Sequence, residues 1–253
     1  MPGTARLVRC VMGEDDGAFP LIRLGRLGYR AAFERQQREH ARVLAAREAG
    51  SPMPGVILAV EHPPVVTISN RAGAAAHLIA PAERLAALGV AVERTDRGGD
   101  ITYHGPGQVV LYPILDLNLL NLGLHDYMRV LEESVIRACA AWGVRAEREP
   151  GATGVWVRAG ADGPGEKVCA FGVRVRKWVS MHGLALNVRT DLSHFDLIVP
   201  CGLHGRRATS LHALLGERAP TWDEACGEVT ARLRSLLLGR LASAREKRAA
   251  AGA

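Results

Sequence analysis

Paired cysteines are missing from this chain. Its 253 residues carry five cysteines, Cys10, Cys139, Cys169, Cys201 and Cys226, widely spaced and without a CxxC pair. An odd, scattered set argues against a disulfide framework and against a zinc site, and it suits a reduced compartment. The nine histidines show neither HxxxH nor HxH spacing, so no metal and no other cofactor is expected. Aromatic residues make up only 5% of the chain, too few for the stacking platforms of single-strand binders, so nucleic acid is not an expected partner. No apolar run reaches ~18 residues and no secretory h-region follows the N-terminus, which points to a cytoplasmic protein with no membrane partner.

What is present is ordinary for a globular protein: 48% hydrophobic and 23% charged residues, enough chain to bury a sizeable core. The net charge is +6, which favours an acidic partner. Neither an internal repeat nor a domain-sized linker is visible. The expected organisation is an N-terminal extension over 1–20 with a short strand near 7–12, one catalytic-sized domain over 21–242, and a frayed, charged tail over 243–253. Apolar runs predict strands at 55–60, 65–68, 90–94, 109–115, 154–157, 167–175 and 178–188. Amphipathic stretches predict helices over 27–49, 81–88, 126–142 and 221–241. His125 or Asp126 is the expected cap of the third, and Thr221 with Glu224 forms a capping box for the last. Paired strands with segregated helices indicate an α+β fold. No coiled-coil stripe is seen, and a monomer is expected.

Three places could carry chemistry. Arg97–Gln108 packs four glycines and Pro106 around Arg97, Asp100, Thr102, Tyr103, His104 and Gln108. Such a loop leading into a buried strand is a common setting for a site; a plain hairpin with a solvated histidine is the blander alternative. It lacks the lysine of a phosphate-binding P-loop. Cys201, between Pro200 and Gly202, sits on a turn that could expose its sulfur, or is simply a small buried hydrophobe. As a nucleophile it needs a lowered pKa, hence a cation or base nearby. His104, His182 and Lys167 are the candidates, although a lone lysine is usually a surface residue. Cys139, Cys169 and Cys226 look like core residues. Gly172, inside a strand, suggests a bulge or close backbone approach.

Taken together, Glu61-His62-Pro63-Pro64-Val65, Arg97–Gln108, Gly154-Val155-Trp156-Val157, Lys167, Gly172-Val173-Arg174, His182–Asn187, Val199–Gly202 and Thr209-Ser210 resemble the lipoyl(octanoyl) transferase family. The resemblance spans about 24–241, nearly the whole chain. It implies an α+β fold with mixed sheets and flanking helices, similar to the biotin and lipoate-protein ligase catalytic domains. It implies an acyltransferase that moves an octanoyl group from octanoyl-acyl carrier protein to a lysine of lipoyl domains, those of 2-oxoacid dehydrogenase complexes and the glycine cleavage H protein. This is the first step of endogenous protein lipoylation. Cys201 and Lys167 would form the catalytic dyad, with Cys201 carrying a thioester intermediate. Arg97, Gly98, Gly99, Asp100, Ile101, Thr102, Tyr103 and His104, with Ala170, Phe171, Gly172, Gly183, Leu184 and Ala185, would bind the acyl substrate. Two features depart from the family pattern: Ser69-Asn70-Arg71 follows Thr67, where glycine and then Arg or Gln is usual, and an insertion over 158–166 precedes Lys167. The rival readings are an ATP-dependent lipoate-protein ligase, which would not need Cys201, and a non-catalytic basic binding module.

Overall fold

The computed structural model describes residues 17–158, 163, 165–199 and 206–251. The strand expected near 7–12 lies outside them, as do Cys10 and Cys201. A seven-stranded sheet forms the body. Its order is β1 (Leu21–Arg26), β2 (Gly55–Glu61), β6 (Gln108–Leu115), β10 (Val179–Asn187), β9 (Gly165–Arg176), β8 (Ala152–Arg158) and β7 (Ala146–Glu149). Neighbours run antiparallel except β1 and β2. A second sheet has β3 (Val65–Ser69) at its centre, parallel to β4 (Ala91–Thr95) and antiparallel to β5 (Ile101–His104). The Pro63-Pro64 turn carries the chain from one sheet to the other, because proline cannot continue a ladder.

Both faces of the large sheet are covered, which is why β2, β6 and β10 are buried at nearly every position. Helix α1 (Tyr29–Glu48) packs Ala32 and Val43 on one face, over Val56, Leu58, Val110 and Tyr112. On the other, α3 (Leu124–Ala141) and α5 (Trp222–Ala251) bury Val130, Leu131, Val229 and Leu233 against Leu111, Cys169 and Leu186. Two short helices, α2 (Ala82–Ala87) and α4 (Leu211–Leu215), complete the α-helices of the described residues.

The structure departs from the sequence expectations in several places, and strand β1 is among the elements that the sequence did not suggest. The stretch 97–108 is not one loop: Ile101–His104 is strand β5, with glycine turns on either side. Helix α3 starts at Leu124 behind Gly123, with no side-chain cap, so neither His125 nor Asp126 caps it. The stretch from Ser243 is not frayed; it continues α5 to Ala251. Ala, Arg, Glu and Lys are strong helix formers, Ala244 is buried, and Arg248 donates to the carbonyls of Asn118 and Leu119. Strand β7 has no apolar run to announce it; this edge strand is held by ion pairs from Arg158 to Glu147 and Glu149.

Candidate active site

A cavity of about 480 Å³ is lined by residues of both sheets. Its first wall is the glycine-rich stretch. Gly98 donates its N–H to the Val173 carbonyl at 2.8 Å. A Cβ on Gly98 would lie 2.9 Å from that oxygen, and one on Gly172 would lie 2.9 Å from the Gly98 carbonyl. Facing glycines therefore let the wall touch β9, which accounts for the glycine inside that strand. Arg97 is buried, and its guanidinium holds Thr67, donating to the carbonyl at 2.8 Å and to the hydroxyl at 2.9 Å. Asp100, also buried, meets His77 Nδ1 at 3.0 Å and Arg71 Nη1 at 4.0 Å. Arg71, one of the departures from the family pattern, thus stands at the cavity beside Asp100. Gly99, Ile101, Thr102 and His104 complete this wall. Tyr103 does not join it. Its ring stacks instead on His194, 4.9 Å between centroids.

The second wall consists of three cross-strand pairs. Ala170 faces Ala185, Phe171 faces Leu184 and Gly172 faces Gly183 across β9 and β10, and all six line the cavity. Two stretches singled out separately in the sequence are thus one patch of sheet. Small residues in two of the pairs leave room, while Phe171 and Leu184 supply apolar surface.

Lys167 enters the cavity through a bulge. Val155 pairs with Cys169 but Trp156 pairs with Lys167, so Val168 is an extra residue on β9. Strict alternation would place Lys167 on the same side as the buried Cys169. The bulge turns it to the opposite side, beside Trp156. Its ammonium lies 4.7 Å from the Trp156 ring centroid, and the Arg206 guanidinium lies 5.3 Å from the same ring. Arg206 is in turn held by Glu149 at 3.0 Å. Gly154 makes the space: a Cβ there would lie 2.9 Å from Lys167 Cε. The Lys167 backbone is pinned by Arg207 and Thr209, its N–H donating to the Arg207 carbonyl and its carbonyl accepting from Thr209 N–H, both at 2.9 Å. Cys201 lies outside the described residues.

Burial holds three histidines at the cavity, His62, His104 and His182, below the ordinary imidazole range. Burial, assisted by nearby His62, pulls His104 down to about 3, and burial pulls His62 down to about 4. His62 donates from Nδ1 to the Leu27 carbonyl at 2.7 Å, leaving Nε2 to accept from the Tyr112 hydroxyl at 2.8 Å. His182 is also pulled down, chiefly by burial, despite its 2.8 Å bond to Asp96. That bond in turn holds the Asp96 carboxyl low, with Arg174 adding to the effect. The remaining described thiols are poor nucleophiles. Burial pushes Cys139 up to about 12 and raises Cys169 and Cys226, and all three are buried core residues, as their places in helices and a strand suggested. Trp156 and Asn187 also line the cavity, while Glu149, Asp96 and Thr209 bond to Arg206, His182 and Lys167; the sequence offers Trp156, Asn187 and Thr209 only as parts of the family motifs, without a role, and Glu149 and Asp96 not at all. Among the described residues, no group of three metal-binding side chains comes together.

The profile of the lipoyl protein ligase A/B catalytic domain matches residues 34–234. The chain belongs to that family. An octanoyltransferase of Roseiflexus sp. (strain RS-1) is 50% identical over 198 residues, 78% of each chain. Among solved structures, the bipartite lipoate protein ligase of Thermoplasma acidophilum superposes with a TM-score of 0.63 at 16% identity, covering 89% of this chain and 90% of that one. The biotin protein ligase of Aquifex aeolicus, solved with biotin and ATP, gives a TM-score of 0.51 at 16% identity over 86% of this chain and 69% of that one. At these identities the two structures speak to the fold alone, and they bear out the expected ligase-like α+β architecture. The family and its octanoyltransferase relatives likewise bear out the sequence resemblance. Among the described residues, no helix is long and apolar enough to cross a membrane.

Proposed function

We propose that this member of the family transfers an octanoyl group from octanoyl-acyl carrier protein to a lysine of lipoyl domains through a thioester on Cys201. The acceptors would be the lipoyl domains of 2-oxoacid dehydrogenase complexes and the glycine cleavage H protein, met in the cytoplasm by a monomeric enzyme. The observation that carries the reading is Lys167, a cation that a bulge turns into a cavity walled by the family's acyl-binding stretches. The Cys201 thiolate attacks the donor's thioester carbonyl. The new C–S bond forms as the bond to the carrier's pantetheine sulfur breaks, and that sulfur takes a proton. The acceptor lysine's amine then attacks the Cys201 thioester: a C–N bond forms, the C–S bond breaks, and the proton lost by nitrogen returns to the thiol. One thioester replaces another of nearly equal energy in the first step, and an amide replaces a thioester in the second, so no ATP is needed. Lys167 favours the thiolate by charge proximity and relays the protons. Arg97–Thr102 and His104, with 170–172 and 183–185, form the acyl slot. In the glycine-rich stretches, backbone N–H groups can approach the oxyanion. Tyr103 supports the slot from behind.

Incubation with octanoyl-acyl carrier protein, without ATP, followed by intact mass measurement tests the reading. An octanoyl adduct on the wild type, absent from Cys201→Ala, is expected. A protein that acylates lipoyl domains only with ATP, or equally well as Cys201→Ala, is a ligase. One that acylates nothing and binds polyanions in a salt-sensitive way is the basic module.

A further inference from the structure

A chain of buried side-chain amides joins the cavity wall to the segment beside Lys167. The Thr209 carbonyl can only accept, so Asn187 turns its NH2 toward it, with Nδ2 donating at 3.0 Å. Asn187 Oδ1 then accepts from Gln108 Nε2 at 2.8 Å, and Gln108 Oε1 faces His104 Nδ1 at 2.7 Å. The direction of every bond follows from that one carbonyl, and it fixes the His104 proton on Nδ1. His104, Gln108, Asn187 and Thr209 are all buried, so each link left unmade would strand a desolvated polar group.

The far end of this chain reaches Lys167. Thr209 N–H and the Arg207 carbonyl bracket the Lys167 backbone at 2.9 Å each. We infer that Asn187 is a positioning residue for the transfer reaction: its carboxamide fixes the 207–209 segment to the cavity wall, and through that segment the backbone of Lys167. The inference rests on the Cys201–Lys167 reading of the preceding subsection.

Asn187→Asp cuts the chain selectively, because a carboxylate keeps accepting from Gln108 but has no hydrogen to give the Thr209 carbonyl. Ser180→Ala is the control: Ser180 is a fully buried hydrogen-bonding residue on the same strand, with no link to the chain. For each variant, kcat and KM with octanoyl-acyl carrier protein are measured, together with the pH profile of alkylation at Cys201, located by peptide mass. Asn187→Asp is expected to lower kcat at least tenfold with KM within twofold. It should also move the alkylation profile toward that of Lys167→Ala, while Ser180→Ala keeps the wild-type profile. If Lys167→Ala shifts the profile and a folded Asn187→Asp does not, the inference is overturned and the dyad stands. If Lys167→Ala leaves the profile unmoved, the dyad reading falls and this inference with it. Should Asn187→Asp not fold, amide exchange in the wild type decides. An Asn187 side-chain NH2 that exchanges slowly supports the clamp, and one exchanging as fast as an exposed carboxamide overturns it.

Discussion

Single side chains of this protein work through what surrounds them, and two residues show it. Lys167 reads in the sequence as a surface lysine at the start of a strand. Its place in the cavity depends on the extra residue Val168 and on Gly154, which has φ +148 and whose missing side chain leaves room for the lysine stem. Gly154→Ala adds a methyl against Lys167 Cε in a backbone region that costs an L-residue ~1–3 kcal/mol. The expected outcome is a loss of transfer rate of about tenfold or more, equivalent to ~1.4 kcal/mol of barrier. Single-turnover acylation of Cys201 measures it, and a wild-type rate would show that Lys167 needs no such space. His104 makes the second case. The unfolded chain's histidines titrate near ~6.5, whereas His104 and His62 in the fold lie at about 3 and about 4. Between those values the unfolded state holds more protons. Their stabilising contribution is therefore complete above about pH 6.5 and falls as pH drops, by up to ~1.4 kcal/mol per pH unit for each histidine. Thermal melts should show Tm declining below about pH 6, with a shallower decline in His104→Gln. Equal slopes in the two proteins would contradict a histidine held neutral by burial.

At the level of elements, the sequence was informative wherever local chemistry decides structure. The apolar runs at 55–60 and 109–115 were legible as buried strands because both faces of the large sheet are covered. The Thr221–Glu224 capping box is present as expected, with Thr221 N–H donating to Glu224 Oε2 at 2.8 Å and Glu224 N–H to Thr221 Oγ1 at 3.3 Å. Its contribution can be checked: Thr221→Ala should cost about 1 kcal/mol, lowering Tm by roughly 2–4 °C in a chain of this size while the acyl transfer rate stays at the wild-type value. A Tm unchanged within error would mean that packing of α5, not its cap, sets its start. Where tertiary partners decide, the sequence was mute. Strand β5 hides among glycines because its pairing with β3 is non-local. Strand β7 is polar because it is an ion-paired edge. The extension of α5 relies on Arg248 reaching back to the turn after β6. The bulge that redirects Lys167 arises from a register slip between β8 and β9, which no property of β9 alone reveals.

On the scale of the whole molecule, family motifs between 97 and 187 that are far apart in sequence line one cavity. The glycine-rich stretch around β5 meets the centre of the large sheet there, and the three pairs between β9 and β10 form the opposite wall. Sequence order hid this convergence, since the 170–172 and 183–185 stretches looked like separate motifs until the hairpin register paired them. Charge is the property that the whole chain contributes. The sequence carries 32 basic against 26 acidic side chains, and Arg71, Arg206 and Arg207 stand at the cavity. Acyl carrier proteins are acidic, so encounter with a carrier-bound donor should be electrostatically assisted. Screening acts over ~10 Å at 0.1 M salt and ~3 Å at 1 M. Raising salt across that range should therefore raise KM for octanoyl-acyl carrier protein severalfold, while KM for octanoyl-pantetheine, which lacks the protein surface, stays nearly constant. Parallel salt titrations of the two donors with one enzyme preparation make the comparison. If both KM values rise together, salt is acting on the acyl slot itself; if neither rises, the basic excess is a solvated surface with no part in recognising the carrier.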